Sequence, residues 1–251
     1  TQHFLFSDSF AGSQYGAYTS LVYLLPLIGG ILADRYLGTK KSVAFGALLL
    51  VAGHVLMAAE GEPAVQTMTV AGTEYRFEVE GRASDRRTFL PVEETRCELN
   101  AKSDSTSTCT ITPNAAGDLV FTGLPASATL PATIAKADYT FGLANRNPLF
   151  VGIFYLALSL IIVGVGFLKS NISSMVGQLY PQGDPRRDPG YTLYYYGINL
   201  GSFWASALCG LLGQTVGWWA GFGLAGVGMM VGWIVFTRQR LAFWSPGPKQ
   251  L

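Results

Sequence analysis

The sequence predicts an all-α membrane protein with a small β-rich external domain inserted between its second and third spans. Three observations lead there. Hydrophobic residues make up 49% of the chain and charged residues 13%, and mean hydropathy is +0.31. Five apolar stretches approach the roughly 20 residues that a helix needs to cross a bilayer. Between the second and third stretches lies a polar segment, 61–147, rich in Thr, Ser, Glu and Ala. A net charge of +1 argues against a nucleic-acid binder, which would show a basic stripe.

The spans are expected at about 16–33, 42–59, 148–170, 191–212 and 215–236. Pro26 falls inside the first, where membrane helices tolerate a kink because neighbours re-satisfy the freed backbone groups. The third span is expected to continue as helix toward Leu179. In the last, Gly217, Gly221, Gly228 and Gly232 form two small-xxx-small pairs, the pattern of close helix packing. The sequence begins at Thr1 without a methionine and reads as a piece of a longer chain.

Lysine and arginine set the orientation. Arg35, Lys40 and Lys41 follow span one, Arg186 and Arg187 follow span three, and Arg238, Arg240 and Lys249 follow span five. The opposite ends, 1–15 and 212–216, carry neither residue. The positive-inside rule therefore places the three basic segments in the cytoplasm and 61–147 outside.

Within 61–147, Tyr75, Phe77 and Val79 alternate with Arg76 and Glu78, the period of a half-buried strand. Thr108 to Thr112 and Leu119 to Thr122 flank the turn-rich run Pro113 to Asp118, which reads as a hairpin. The alternative for the whole segment is a disordered loop. Cys97 and Cys109, twelve positions apart on the oxidising side, are expected to pair; Cys209, inside span four, reads as a buried free thiol.

Lys169 is the residue that most sharply suggests function. It follows Leu149 to Leu168, a run without charge. A lysine in that position is costly unless it faces a watery cavity or an anion, or snorkels to the headgroups. Two motifs narrow the choice. Gly29-Gly30-Ile31-Leu32-Ala33-Asp34-Arg35 leads to Gly38-Thr39-Lys40-Lys41 and resembles the signature loop of the major facilitator superfamily. Gly164-Val165-Gly166-Phe167-Leu168-Lys169-Ser170-Asn171-Ile172-Ser173 is followed by Asp184-Pro185-Arg186-Arg187-Asp188 and by Tyr194-Tyr195-Tyr196-Gly197-Ile198-Asn199-Leu200-Gly201. This set resembles the proton-coupled oligopeptide transporter family. Ser170, Pro189 and Tyr194 depart from its usual proline, serine and phenylalanine.

The resemblance covers everything except 61–147. It implies a partial major facilitator fold, an N-terminal helical bundle. Residues 1–60 would hold the outer end of helix one (Thr1 to Phe6) and helices two and three. Residues 61–147 would form a periplasmic insertion, and 148–251 would hold helices four to six and the start of a cytoplasmic linker. Helix one and the C-terminal six helices would be partners supplied by the rest of the same transporter, in a bacterial inner membrane. The implied activity is symport of di- and tripeptides by alternating access, driven by a proton gradient and without a cofactor or metal. Lys169 would pair with the peptide carboxylate and join the proton relay. Asn199 would meet the peptide backbone or amine, Tyr195 would share its face, Tyr23 would be a pocket tyrosine, and Ile198 an apolar wall. Asp34 and Arg35 would gate the conformational change.

Plainer readings stand beside these. Asn199 can act as interhelical glue, Tyr23 as ordinary packing, and His54 as a structural, hydrogen-bonded histidine. Tyr194 and Tyr196 point off the Tyr195 face and read as packing. No metal cluster, phosphate loop or nucleophile–base pair marks an enzyme. The functional alternatives are a carrier of nitrate or another small anion, and a receptor whose external domain binds a ligand.

Overall fold

The computed structural model describes residues 3–81, 87–93, 95–101 and 106–238. Arg240 and Lys249 of the third basic segment, and Thr1 and Gln2, lie outside them. The chain divides into two compact units: one comprises 3–7 with Glu62–Asn147, the other Asp8–Gly61 with the described residues from Pro148 onward.

The second unit is helical. Helix α1 spans Asp8–Leu32, α2 Thr39–Ala58, α3 Pro148–Gln178, α4 Arg187–Thr215 and α5 Trp218–Arg238. α1 starts well before the apolar run because Asp8 suits a helix N-terminus, where the peptide dipoles favour negative charge. It runs through Pro26 and ends in a π-helical turn, Ala33–Leu37, closed by the Gly38 amide donating to the Ala33 carbonyl at 2.7 Å. Gly38 has φ +75°, a conformation that glycine adopts without penalty.

Among the described residues, four helical segments are long and apolar enough to cross a membrane: Asp8–Leu37, Thr39–Ala58, Pro148–Gln178 and Trp218–Arg238. Five were expected. α4, with 29 residues, reaches about 43 Å at 1.5 Å per residue and is long enough. Its tyrosines 191 and 194–196 and Asn199 dilute its apolar content below that of the other four.

α3 packs against α1 and α2, and glycine lets both reach it. A Cβ placed on Gly29 of α1 would overlap the Gly166 carbonyl of α3. One on Gly46 of α2 would sit 2.7 Å from the Gly164 carbonyl. Ser42, four residues before Gly46, is fully buried, and its hydroxyl has no hydrogen-bond partner among the described residues. It serves there as a small residue, part of a small-xxx-small pair. Asn171 is 2% exposed and donates from Nδ2 to the Phe167 carbonyl at 2.8 Å and, at a longer 3.4 Å, to the Gly29 carbonyl.

α5 joins through α2 and α4. Trp233 Nε1 donates to the Ala44 carbonyl at 3.1 Å. The expected glycine pairs in α5 are only partly used. Gly221 packs against the Cys209 carbonyl, whereas Gly228 and Gly232 face open space and Gly217 falls in the turn before the helix. The close approach to α2 is made instead by Gly226, against Val55 and His54. The His54 ring is bonded through Nδ1 to the Leu50 carbonyl at 2.7 Å, a structural arrangement.

Among its described residues the first unit holds nine strands in two sheets: β1 Val65–Val70, β2 Thr73–Arg76, β3 Glu78–Glu80, β4 Arg87–Val92, β5 Thr95–Leu99, β6 Cys109–Pro113, β7 Leu119–Thr122, β8 Thr133–Ile134 and β9 Tyr139–Ala144. One sheet has the order β2-β1-β9, the other β3-β4-β5-β6-β7-β8. The strand expected through Tyr75, Phe77 and Val79 breaks at Phe77. The chain changes sheets there, because the Phe77 ring is buried in the core while its amide donates to the Gln66 carbonyl at 2.9 Å. Val79 is left exposed in β3. The β6–β7 hairpin pairs Thr110 with Thr122 and Pro113 with Leu119. Asn114 closes its loop, its Oδ1 accepting the amides of Ala116 and Asp118, both at 2.9 Å. Cys97 and Cys109 face each other on the parallel strands β5 and β6 and are joined by a disulfide within a core that includes Met68, Leu90 and Ile111.

Two outcomes are expected from this packing. Gly29→Ala should lower the detergent melting temperature of the full-length protein, with an overpacking cost of about 1–3 kcal/mol, whereas Ser42→Ala should leave it unchanged or raise it. Replacing Cys97 and Cys109 together by serine should destabilise the β unit by roughly 3 kcal/mol, read as lost amide protection in β5 and β6.

Candidate functional site

Lys169 lies on α3, three residues past the glycine that admits α1. The two helices run in the same direction: Gly29 meets Gly166, and Gly30 lies beside Ser170. Lys169 therefore starts near the level of Gly30. Its ammonium sits 4.3 Å from the centroid of the Tyr23 ring, a cation–π contact. Tyr23 is seven residues before Gly30, about 10 Å back along α1. The lysine side chain thus turns back toward the middle of the helices. A snorkelling lysine would run on toward the nearer, C-terminal end of α3. The direction is the one that a helical Cβ favours, since it tilts toward the helix N-terminus.

Both groups are open in this chain. Lys169 is exposed and Tyr23 is 68% exposed. Tyr195, Ile198 and Asn199 follow helical spacing on α4 and form one face, also exposed. Asn199 Nδ2 donates to the Tyr195 carbonyl at 2.8 Å, within its own helix. Its Oδ1 still has acceptor capacity, and one amide proton remains to donate.

α3 and α4 meet just below this face. The Tyr191 hydroxyl donates to the Ser173 carbonyl at 3.4 Å, and the Tyr194 hydroxyl lies 3.5 Å from Ser173 Oγ. Sequence reasoning read Tyr194 as packing and gave Tyr191 no role. Their signal was the polar Ser173 past the apolar run of α3, which needs a partner. The structure brings Lys169 and Tyr23 together. It sets the α4 trio on one face, beginning one residue beyond the Ser173–Tyr194 junction.

Asp34 and Arg35 lie in the π-helical turn and are exposed. A π turn takes in one extra residue per turn and recurs at functional sites. Thr39, at the start of α2, donates to Gln178 Oε1 at the end of α3 at 3.2 Å. Between α3 and α4 the Asp184 carboxylate accepts three bonds from Arg186: from Nε at 3.1 Å, from Nη2 at 2.8 Å and from the backbone amide at 2.9 Å. The side-chain bond from Arg186, followed by the backbone bond, holds the Asp184 carboxyl below the usual carboxylate range.

A family model described as the POT family matches residues 40–250. An uncharacterized transporter of Bacillus subtilis is 30% identical over 89% of this chain and 27% of its own length. A peptide transporter of Yersinia enterocolitica is 50% identical over 34% of this chain and 16% of its own length. A di-/tripeptide transporter of Lactobacillus helveticus is 28% identical over 92% of this chain and 31% of its own length. The crystal structure of a POT peptide transporter in complex with sulfate is 28% identical, with TM-score 0.52, over 90% of this chain and 28% of that one. These relatives are transporters rather than enzymes, and this chain spans less than a third of the length of each.

The Asp184 geometry carries a pH consequence. A depressed carboxyl contributes stability above its unfolded pKa of about 3.9 and loses it as pH falls through the folded value. Amide protection at Arg186 should therefore persist below pH 3.9 and then collapse. Asp184→Asn should abolish that transition, as read by hydrogen exchange across 181–190.

Proposed function

We propose, from the premise that this chain belongs to the POT family, that it forms part of a proton-coupled symporter of di- and tripeptides in a bacterial inner membrane. The observation that carries this reading is the Lys169 ammonium held over the Tyr23 ring. That contact supports a charge directed toward the middle of the helices rather than toward the headgroups. The ring holds the charge by about 0.5–2 kcal/mol. A peptide carboxylate at 4 Å attracts it by roughly 4 kcal/mol at an effective dielectric constant of 20. The carboxylate therefore wins when it arrives and the ring recovers the ammonium when it leaves.

The same exchange supports coupling. Lys169 is assigned a part in the proton relay as well as the pairing with the peptide carboxylate. Peptide and proton then promote each other's binding, and linkage makes the effect reciprocal. Tyr195, Ile198 and Asn199 are assigned to the opposite wall. There Asn199 offers both a donor and an acceptor to the peptide backbone or amine, and Ile198 tolerates varied side chains. Two helical bundles rocking about a central site would supply alternating access, with Asp34 and Arg35 at the cytoplasmic gate. The basic segments after α1 and α3 support a cytoplasmic placement for those loops, and hence a periplasmic one for the β unit. The proton gradient is the energy source, and no cofactor takes part. Helix one and the C-terminal six helices are supplied by the rest of the same transporter.

The test is uptake of a labelled dipeptide into proteoliposomes holding the full-length protein under an inward proton gradient. Gradient-driven uptake that di- and tripeptides compete, and that falls at least about tenfold in Lys169→Ala, is expected from losing roughly 1.4 kcal/mol or more of substrate attraction. Absence of peptide uptake by folded protein, with uptake of nitrate instead, would transfer the site to anion transport. Peptide uptake indifferent to Lys169→Ala would remove the lysine from the substrate path.

A further inference from the structure

The β unit is inserted into a helical chain, so three strands of backbone pass between the two units: at Ser7, at Glu62 and at Asn147. Inside the β unit these three strands are tied to one another. The Ala64 amide donates to the His3 carbonyl at 2.8 Å, which joins the segment before α1 to the segment after α2. The Arg146 guanidinium lies over the Phe6 ring at 4.6 Å, which joins the segment before α1 to the segment before α3. β1 pairs with β9 from Val65↔Ala144 onward, which joins the remaining two. Phe4 is 8% exposed, and its ring packs edge-on to His3 at 4.7 Å and against Phe6 at 5.7 Å.

The backbone is bent to make these contacts. Leu5 and Asn145 both adopt positive φ, at 50° and 60°, and the Asn147 amide returns to the Asn145 carbonyl at 2.9 Å. A leucine takes up that conformation rarely, and only where its surroundings over-determine it. The resemblance-based expectation made 1–6 the end of a helix. Instead, the described residues of that segment are a non-helical peptide packed into the β unit.

We propose that the root of the β unit is a three-way clasp that makes the segments entering α1, leaving α2 and entering α3 move as one body. Each of the three pairings closes one side of a triangle. With all three closed, each segment is held from two sides; loss of any one pairing leaves two segments held from one side only, where the entropy of loop conformations favours fraying. The Phe6–Arg146 side rests on two side chains and is the one that substitution can open without touching a sheet. The clasp does not depend on what the protein transports.

The experiment is hydrogen exchange, read by mass spectrometry, on the full-length protein in detergent, comparing wild type with Arg146→Ala and Phe6→Leu. The Ala64 amide reports directly on the His3 bond. Phe6→Leu keeps an apolar side chain while removing the aromatic face. The expected result is protection of Ala64 in wild type and about tenfold faster exchange at 3–7 and 62–64 in both variants, the size that a partly desolvated cation–π contact predicts. Exchange in β6 and β7 should not change. The proposal is overturned if Ala64 exchanges in wild type at the rate of an unstructured peptide, or if neither variant alters 3–7. It is also overturned if both variants unprotect the whole β unit together, since Phe6 and Arg146 would then support its core rather than its root.

Discussion

The helical unit depends on backbone meeting backbone at α3. In lipid, apolar side chains gain little by leaving hydrocarbon for each other, so helices associate through close packing and hydrogen bonds. Here that packing is made by Gly29 against Gly166 and by Gly46 against Gly164. The same approach brings the Gly29 carbonyl within reach of the Asn171 amide, whose alternative inside a membrane would be an unsatisfied polar group. Because Gly166 is three residues from Lys169, the crossing that seats α1 also fixes where the lysine can reach. Tyr23 receives it because α1 runs alongside α3 in the same direction.

This explains why the two faces of the candidate site differ. The Lys169–Tyr23 contact is already made, since both residues stand on helices locked to each other. Among the described residues, α4 meets α3 at its N-terminal end, where Tyr191 and Tyr194 reach Ser173 and Tyr191 and Arg187 lie against Gly177, and its outward residues, with Tyr195 64% exposed, stand open. Asn199 spends one amide proton on its own helix, which orients the rest of the group rather than consuming it.

Much of the helical unit was legible in the sequence because long uncharged runs leave the chain few other options in a bilayer. The apolar runs located α2, α3 and α5. α4 was harder to read, since its tyrosines lower its apolar content without shortening it. The α5 glycines misled because spacing alone cannot say which side of a helix meets a neighbour. Gly226 faces α2 while Gly228 and Gly232 do not. In the β unit, the Pro113–Asp118 run announced its hairpin through the turn chemistry of Asn114. The alternation at 75–79 holds as far as Phe77 and fails at Val79, which is exposed, because the chain changes sheets between them and period two cannot report whether a strand continues. The peptide before α1 left no local signal, since its partners Ala64 and Arg146 lie far along the chain. For the site, sequence marked Lys169 by its charge and Asn199 by its amide. It could not tell that Lys169 would bend back toward Tyr23.

The pairing of Val65 with Ala144 bears on how such a chain could have come about. Backbone enters and leaves the β unit through neighbouring strands, whose separation is about 5 Å. A segment whose two ends are neighbouring strands can be acquired or discarded by a gene at a single point, and a laboratory could exchange it there for a reporter domain. The residues around Phe6 would then show whether the visitor had become a tenant, because these described residues before α1 have built their conformation on it.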